Sequence, residues 1–180
     1  MRTLFDGEIH VSYSQAYLED GRGLDTSDLA ACFAGQANGL CGARGVGGLW
    51  LITGLHTGRV PVVVEEHDGP PPVRAEWEEV VEVPFVADSS PISLVGWAGW
   101  SVDPLALDPG QYRVRYCVAG MDAGKAVDTR VGSEPVPDRY LLQLWAAAPS
   151  GDAVLRQTGS VAAYWHGFAR GLPAPSVGPS

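Results

Sequence analysis

The residues of this chain that are best spaced for chemistry are carboxylates. Between positions 65 and 82 the sequence places seven of its 21 acidic residues against a single basic residue, Arg74. The seven are Glu65, Glu66, Asp68, Glu76, Glu78, Glu79 and Glu82. A glycoside hydrolase needs two carboxyl groups about 5 to 9.5 Å apart across a sugar-binding cleft. Residues two apart on one strand face lie about 7 Å apart, so the spacing permits such chemistry, although exposed glutamates on a strand more often form a solvated surface.

The other reactive residue types show no catalytic or metal-binding pattern. The four histidines are widely separated, and the three cysteines lack CxxC or zinc-like spacing. The sequence contains neither the GxSxG nucleophile motif nor a phosphate-binding glycine motif. We therefore predict no catalytic residue, no metal site and no cofactor. An odd number of cysteines further favours free thiols in a reducing cytoplasm.

The segment that positions most of the carboxylates is predicted to be a β-strand. In residues 76–85 (EWEEVVEVPF), successive side chains of an extended chain point to opposite faces. The apolar side chains then share the buried face, with Glu79 as the exception: Trp77, Val81, Val83 and Phe85. The opposite face carries Glu76, Glu78 and Glu82. Such a strand would present a rigid row of carboxylates to a binding partner.

The rest of the chain predicts a mainly β fold. Short strand-like segments, separated by Gly- and Pro-rich turns, fall at residues 8–18, 49–53, 60–64, 77–86, 92–97, 112–118 and 140–145. Capping residues at 25–28 predict a short helix from Leu29, and apolar residues at helical spacing predict another after Ser160. We predict an antiparallel β-sandwich with one or two short helices, forming a single domain over residues 1–170. Residues 171–180 are predicted to be a disordered Pro/Gly/Ser-rich tail.

Two prolines lie inside strand-like segments. Pro61 and Pro84 cannot donate a hydrogen bond to a neighbouring strand. We therefore expect edge strands or bulges at these positions.

Composition restricts the classes of partner. The net charge is −9, the pI is about 4.7 and Lys125 is the one lysine of the chain. This balance argues against direct binding to nucleic acid or to an anionic membrane surface, whereas it suits a basic protein partner. Solubility alone also explains an acidic composition. The N-terminus lacks the apolar core of a signal peptide, and no apolar run approaches about 20 residues, so we expect a soluble cytoplasmic protein.

Three segments resemble the ComJ-like family, whose founding member inhibits the DNA-entry nuclease of the competence system in spore-forming bacteria. They are residues 11–15 (VSYSQ) with the short helix that follows, residues 81–85 (VEVPF), and residues 107–112 (LDPGQY) leading to Cys117. The last two are similar to the family's V-x-V-P-F strand and L-P-x-G-x-Y … C hairpin. Order and approximate spacing agree over about residues 8–145. The chain departs from the family by adding residues 42–48, residues 121–137 and the segment after Trp145.

The resemblance implies a bacterial, non-enzymatic β-domain that binds and blocks a nuclease. Nuclease clefts are basic because they hold phosphates, so a carboxylate row suits this role. Because exposed ion pairs are individually weak, an aromatic anchor is also expected, and Trp97 and Trp100 flank a flexible Ala-Gly step. Core packing is the alternative for both tryptophans. The predicted contact residues are Glu65, Glu66, Asp68, Glu76, Glu78, Glu82, Trp97 and Trp100.

The sequence leaves two other functions open. A small-molecule, carbohydrate-like binding β-domain would show a concave pocket lined by Trp97, Trp100 and a carboxylate. A carboxylate-dependent hydrolase would show two glutamates converging in a cleft. The preferred prediction is an acidic inhibitor or immunity-type protein with a basic protein partner, such as a nuclease.

Overall fold

The structure, a computed structural model, describes residues 1–99, 102–132 and 134–173. In these ranges the chain forms eleven strands, three α-helices and one 3-10 turn. In chain order they are β1 (Arg2–Val11), β2 (Gln15–Glu19), α1 (Leu29–Phe33), β3 (Cys41–Gly42), β4 (Gly48–Ile52), β5 (Gly58–His67), β6 (Glu79–Ala87), β7 (Ile92–Gly96), the 3-10 turn (Trp97–Gly99), β8 (Val102–Leu105), β9 (Gly110–Ala119), α2 (Met121–Val127), β10 (Arg139–Ala146), β11 (Ala153–Arg156) and α3 (Ser160–Gly171).

The strands form two sheets. The six-stranded sheet has the order β1-β5-β10-β9-β6-β11 and is antiparallel except for the parallel pair β5 and β10. The five-stranded sheet has the order β3-β4-β2-β7-β8 and is antiparallel throughout. The predicted mainly β, sandwich-like fold is confirmed.

Buried side chains from both sheets form one main apolar core. Val62, Val83 and Tyr116 from the six-stranded sheet join Leu18 and Leu94 from the five-stranded sheet. The alternation of apolar residues along each strand places these side chains on the inner faces. Roughly 1.5 to 3 kcal/mol is gained for each large apolar side chain that is fully buried, so this core is the main source of stability.

The predicted first strand is in fact two strands in different sheets. β1 ends at Val11 and β2 begins at Gln15, with Tyr13 and Ser14 at φ of 56° and 57° between them. Residues other than glycine seldom adopt this left-handed conformation, so the continuous alternation of residues 8–18 gave no sign of the corner.

The helices agree with the prediction at two of three positions. The Asp28 side chain accepts a hydrogen bond from the Ala31 N–H and caps α1, and α3 begins at Ser160. The third helix, α2, lies in a segment predicted to be a loop. Gly171 ends α3, and residues 174–180 of the predicted tail lie outside the described residues. No helix in the described ranges combines the length and apolarity needed to span a membrane.

Both strand prolines lie in interior strands, which corrects the expected edge strands. β5 lies between β1 and β10, and β6 lies between β9 and β11. However, β10 pairs with β5 only from Val62 onward, and β11 pairs with β6 only as far as Glu82. Pro61 and Pro84 therefore each lie just beyond the end of one neighbouring strand. No strand is paired on that side, so the missing N–H of the proline costs no hydrogen bond.

Candidate partner-binding surface

The acidic strand begins later than the sequence predicted. β6 starts at Glu79, opposite Val118, so Glu76 and Glu78 belong to the preceding loop. Trp77 packs with Val80 on the outer face of the six-stranded sheet, in an apolar cluster separate from the main core. The assignment of Trp77 to the core face is therefore wrong, because strict alternation applies only where the chain is paired in the ladder.

Glu82 projects from the outer face, as alternation predicted, but its carboxylate is already occupied. Arg113 Nε donates to Glu82 Oε2 at 3.0 Å, and Arg115 Nε donates to Glu82 Oε1 at 2.9 Å. The side chains of Glu82, Arg113 and Arg115 are only 14, 10 and 5% exposed. The prediction of a free carboxylate at this position is thus wrong: Glu82 is largely buried and forms ion pairs with two arginines.

Glu65 belongs to the same internal network. Across the sheet, Glu82 lies opposite Arg115, Arg115 opposite Gln143, and Gln143 opposite Glu65. The Glu65 carboxylate accepts a hydrogen bond from Gln143 Nε2 at 3.0 Å and lies 2.8 Å from His67 Nε2. Burial alone would raise the pKa of Glu65, but the hydrogen bonds from Gln143 and His67 outweigh it and lower the pKa. The carboxylates of Glu65 and Glu82 are therefore both bonded to neighbouring side chains of the same sheet.

A loop covers this network. We call residues 68–78, which connect β5 to β6, the acidic loop. The carbonyl oxygen of Pro71 accepts a hydrogen bond from Arg115 Nη1 at 2.6 Å. The carbonyl oxygens of Arg74 and Trp77 accept hydrogen bonds from Arg156 Nη1 at 2.9 and 2.7 Å, which ties the loop to β11. The loop therefore lies across the outer face of the six-stranded sheet.

Four of the predicted acidic residues remain accessible, and they lie at two ends of this sheet. Glu66 pairs with Arg2 at 2.8 Å and Asp68 with the N-terminal amine at 3.5 Å, near the end of β5. At the other end, Glu78 accepts a hydrogen bond from the Gly120 N–H at 2.8 Å. Beside it, Glu76 pairs with Arg74 at 3.2 Å. Glu76 and Glu78 border a shallow depression of about 340 Å³.

The predicted aromatic anchor lies on the other sheet. Trp97 is half-buried in the 3-10 turn that follows β7, and its ring centroid lies 5.2 Å from that of Tyr13. Tyr13 is 61% exposed and also contacts the His56 ring, at 5.3 Å between centroids. Trp100 lies outside the described residues. The structure therefore does not bring Trp97 together with the acids of residues 65–82.

A cleft of about 690 Å³ opens beside Trp97. Tyr17 and Glu19 from β2 and Val95 from β7 contribute to its lining, and residues 20–24 and the 3-10 turn border it. Burial raises the pKa of Glu19, and the nearby Asp20 carboxylate adds to the effect, while a hydrogen bond from the Leu24 N–H opposes it. The cleft combines Trp97 with a carboxylate, which are two of the three features that the small-molecule alternative requires; the third, Trp100, lies outside the described residues.

Sequence reasoning selected Trp97 but none of the other residues that line this cleft. Tyr13, Tyr17 and Glu19 precede Trp97 by some 80 residues and reach it only because β2 pairs with β7. Alternation along β2 was the one signal available, and it placed Tyr17 and Glu19 on one face. It gave no indication of which distant strand would lie beside them.

Comparisons with known proteins agree with this fold. No family model and no curated protein matches the chain. Among solved structures, the chain is similar to ComJ from Bacillus subtilis, the inhibitor of the DNA-degrading activity of NucA, with a TM-score of 0.56 and 15% identity. That similarity covers 81% of this chain and 98% of ComJ. A structure described as crocagin biosynthetic gene J has a TM-score of 0.48 and 13% identity, covering 82% of this chain and 98% of its own. The similarity to ComJ confirms at the level of the fold the resemblance that three sequence segments predicted.

Proposed function

We propose that this chain is a non-enzymatic inhibitor or immunity-type protein that binds and blocks a nuclease or another basic protein. The observation that carries the proposal is the fold shared with ComJ over 98% of that chain, since ComJ inhibits the DNA-degrading activity of NucA. The net charge of −9 supports it, because opposite charge accelerates association with a protein that carries a phosphate-binding surface.

The accessible acids supply a way to recognise such a partner. Glu66 and Glu76 lie in exposed ion pairs with arginines, and Glu78 is bonded to a backbone N–H. An exposed ion pair contributes about 0 to 1 kcal/mol. Glu66 and Glu76 therefore lose little free energy when they leave their own arginines and pair with a cation of the partner. The contact role of Glu65 and Glu82 is not part of this proposal, because both serve the internal network.

The experiment identifies a partner and then measures its activity. The purified chain is immobilised and exposed to host lysate at roughly 50 mM and 500 mM salt, and captured proteins are identified by mass spectrometry. Each basic candidate is then expressed, and its cleavage of DNA and RNA is measured with and without the chain. We expect stoichiometric inhibition of a nuclease that is captured more strongly at low salt. Recovery of no basic protein at low salt would reject the proposal.

Charge reversal then locates the surface. Glu76→Lys and Glu78→Lys together should weaken binding of the identified partner by about tenfold, with a faster dissociation rate, if the acidic loop is in contact. Asp6→Lys and Asp108→Lys, two exposed acids outside the loop, form the charge-matched control. Equal effects of the two double variants would show that only net charge matters and would remove the loop from the interface.

A small-molecule-binding β-domain is the second candidate, favoured by the cleft whose lining includes both Trp97 and Glu19. A neutral sugar would stack on the indole and hydrogen-bond to the carboxylate. Saturable binding of a neutral mono- or disaccharide that is lost in Trp97→Ala would support this function. Absence of saturable binding across a saccharide panel would reject it.

A further inference from the structure

The cleft beside Trp97 contains a carboxylate without a cation. Glu19 is the last residue of β2 and is half-buried in the wall of the 690 Å³ cleft. Within the described ranges Glu19 takes part in no ion pair, and only the Leu24 N–H offsets the rise in its pKa that burial causes. A charged group that has lost part of its hydration without gaining a counter-charge favours an incoming cation.

The neighbouring arginine does not neutralise Glu19, because it is held by two other carboxylates. Arg22 Nη2 lies 2.8 Å from Asp20 Oδ2, and Arg22 Nη1 lies 2.8 Å from Asp88 Oδ2. Asp20 is buried and also accepts the backbone N–H groups of Arg22 and Asp88 at 2.9 Å. The carboxylates of Asp20 and Asp88 therefore already neutralise Arg22, and Glu19 in the cleft wall has no cation of its own.

Aromatic rings complete the cleft. Tyr17 lies two residues before Glu19 on the same face of β2, and Trp97 borders the cleft from the 3-10 turn. Tyr13 and Ser14 adopt left-handed backbone conformations in the tight turn that joins β1 to β2. This turn places the Tyr13 ring against the Trp97 indole, at a centroid distance of 5.2 Å.

We propose that this cleft binds an arginine side chain presented by a basic protein partner, with the guanidinium paired to Glu19 and packed against Trp97. A planar guanidinium both stacks on an aromatic face and pairs with a carboxylate through two parallel hydrogen bonds. A neutral saccharide would stack on the Trp97 indole but would leave the charge of Glu19 without a counter-charge. This assignment rests on the proposed function for the identity of the partner as a basic protein, and it supplies the buried anchor that weak surface ion pairs require.

The test uses the intact chain and a defined probe. The peptide acetyl-Gly-Arg-Gly-amide is titrated into 15N-labelled protein at constant ionic strength, beside the neutral isostere in which citrulline replaces arginine. We expect saturable amide shifts centred on Tyr17, Glu19 and Val95, and affinity for the arginine peptide about fivefold or more above that for the citrulline peptide. Glu19→Gln should remove this preference, and Trp97→Ala should weaken binding of both peptides. Asp6→Asn, which changes an exposed acid of β1 in the other sheet, is the matched control and should have no effect.

Each other outcome overturns the assignment. No saturable shift up to roughly 50 mM peptide, equal affinity for both peptides, or an unchanged preference in Glu19→Gln would each reject an arginine site here. Thermal unfolding of every variant establishes that the fold is retained. The titration needs no partner, so it can fail while a nuclease is still inhibited, and inhibition can fail while the arginine peptide still binds. Inhibition of an identified nuclease that is unchanged by Glu19→Gln would exclude the cleft from that interface.

Discussion

Replacing Glu82 with glutamine distinguishes a structural carboxylate from a partner-binding one. Each oxygen of Glu82 accepts a hydrogen bond from a different arginine, at 3.0 Å from Arg113 and 2.9 Å from Arg115. Removing one partner of a buried ion pair costs about 3 to 5 kcal/mol, because a buried charge is left uncompensated. Here Arg113 keeps the Gly151 carbonyl and Arg115 keeps the Pro71 carbonyl, each at 2.6 Å. We therefore expect a loss of about 2 to 3 kcal/mol in the free energy of unfolding.

Urea denaturation followed by circular dichroism measures this loss, and thermal unfolding should show a decrease in Tm of about 5 to 10 °C. Glu76→Gln is the matched control, because Glu76 and Arg74 form an exposed pair whose removal should cost at most about 0.5 kcal/mol. Folded Glu82→Gln protein should retain its affinity for the partner. Equal stability of the two variants, or a loss of affinity in Glu82→Gln without a loss of stability, would contradict a structural role for Glu82.

Three further predictions concern the interior. Burial, assisted by Arg170, lowers the pKa of His166 to about 4, and its neutral Nδ1 accepts the Gly39 N–H. In the unfolded chain the His166 imidazole binds a proton near pH 6.5, whereas in the folded chain it does so only near pH 4. The free energy of unfolding should therefore fall by up to roughly 3 kcal/mol from pH 6.5 to 4. The fall should be less steep in His166→Asn, and parallel stability profiles of the two proteins would contradict this. Asp122→Ala removes the acceptor for the first N–H groups of α3 and should cost about 1 to 2 kcal/mol, with faster hydrogen exchange in α3; unchanged exchange would argue against it. Burial raises the pKa of all three cysteine thiols, so a disulfide reagent should react quickly at pH 8 only after urea is added, and rapid reaction of native protein would contradict their burial.

Local pattern predicted most strands but not the partners of their outward side chains. The sequence showed Glu82 on the outer face of one strand and Arg113 and Arg115 alternating on another. That these strands are neighbours, with Glu82 opposite Arg115, depends on the sheet order, which a single sequence does not specify. Glu82 was therefore placed on the correct face of β6, but its neutralisation by two arginines was missed.

Helix α2 was missed because its sequence contradicts its conformation. Gly124 disfavours a helix interior, but a Cβ at this position would clash with the Asp138 carboxylate. Asp138 accepts the Leu55 N–H at 2.8 Å, and Gly124 is the residue that lets α2 pack this closely. Tertiary packing thus selects a glycine where local propensity indicates a loop.

The separation of the acidic loop from the Trp97 cleft has a kinetic consequence. The loop lies on the outer face of the six-stranded sheet, and the cleft is built on the five-stranded sheet. Attraction between exposed charges extends over about 8 to 10 Å at physiological salt, so carboxylates outside the interface still raise the association rate. Contact residues instead set the dissociation rate, because a complex breaks only when its short-range contacts are lost. A salt-dependent association rate is therefore expected whichever face meets the partner. The face is identified by the variant that speeds dissociation, with Glu78→Lys reporting on the loop and Glu19→Gln on the cleft.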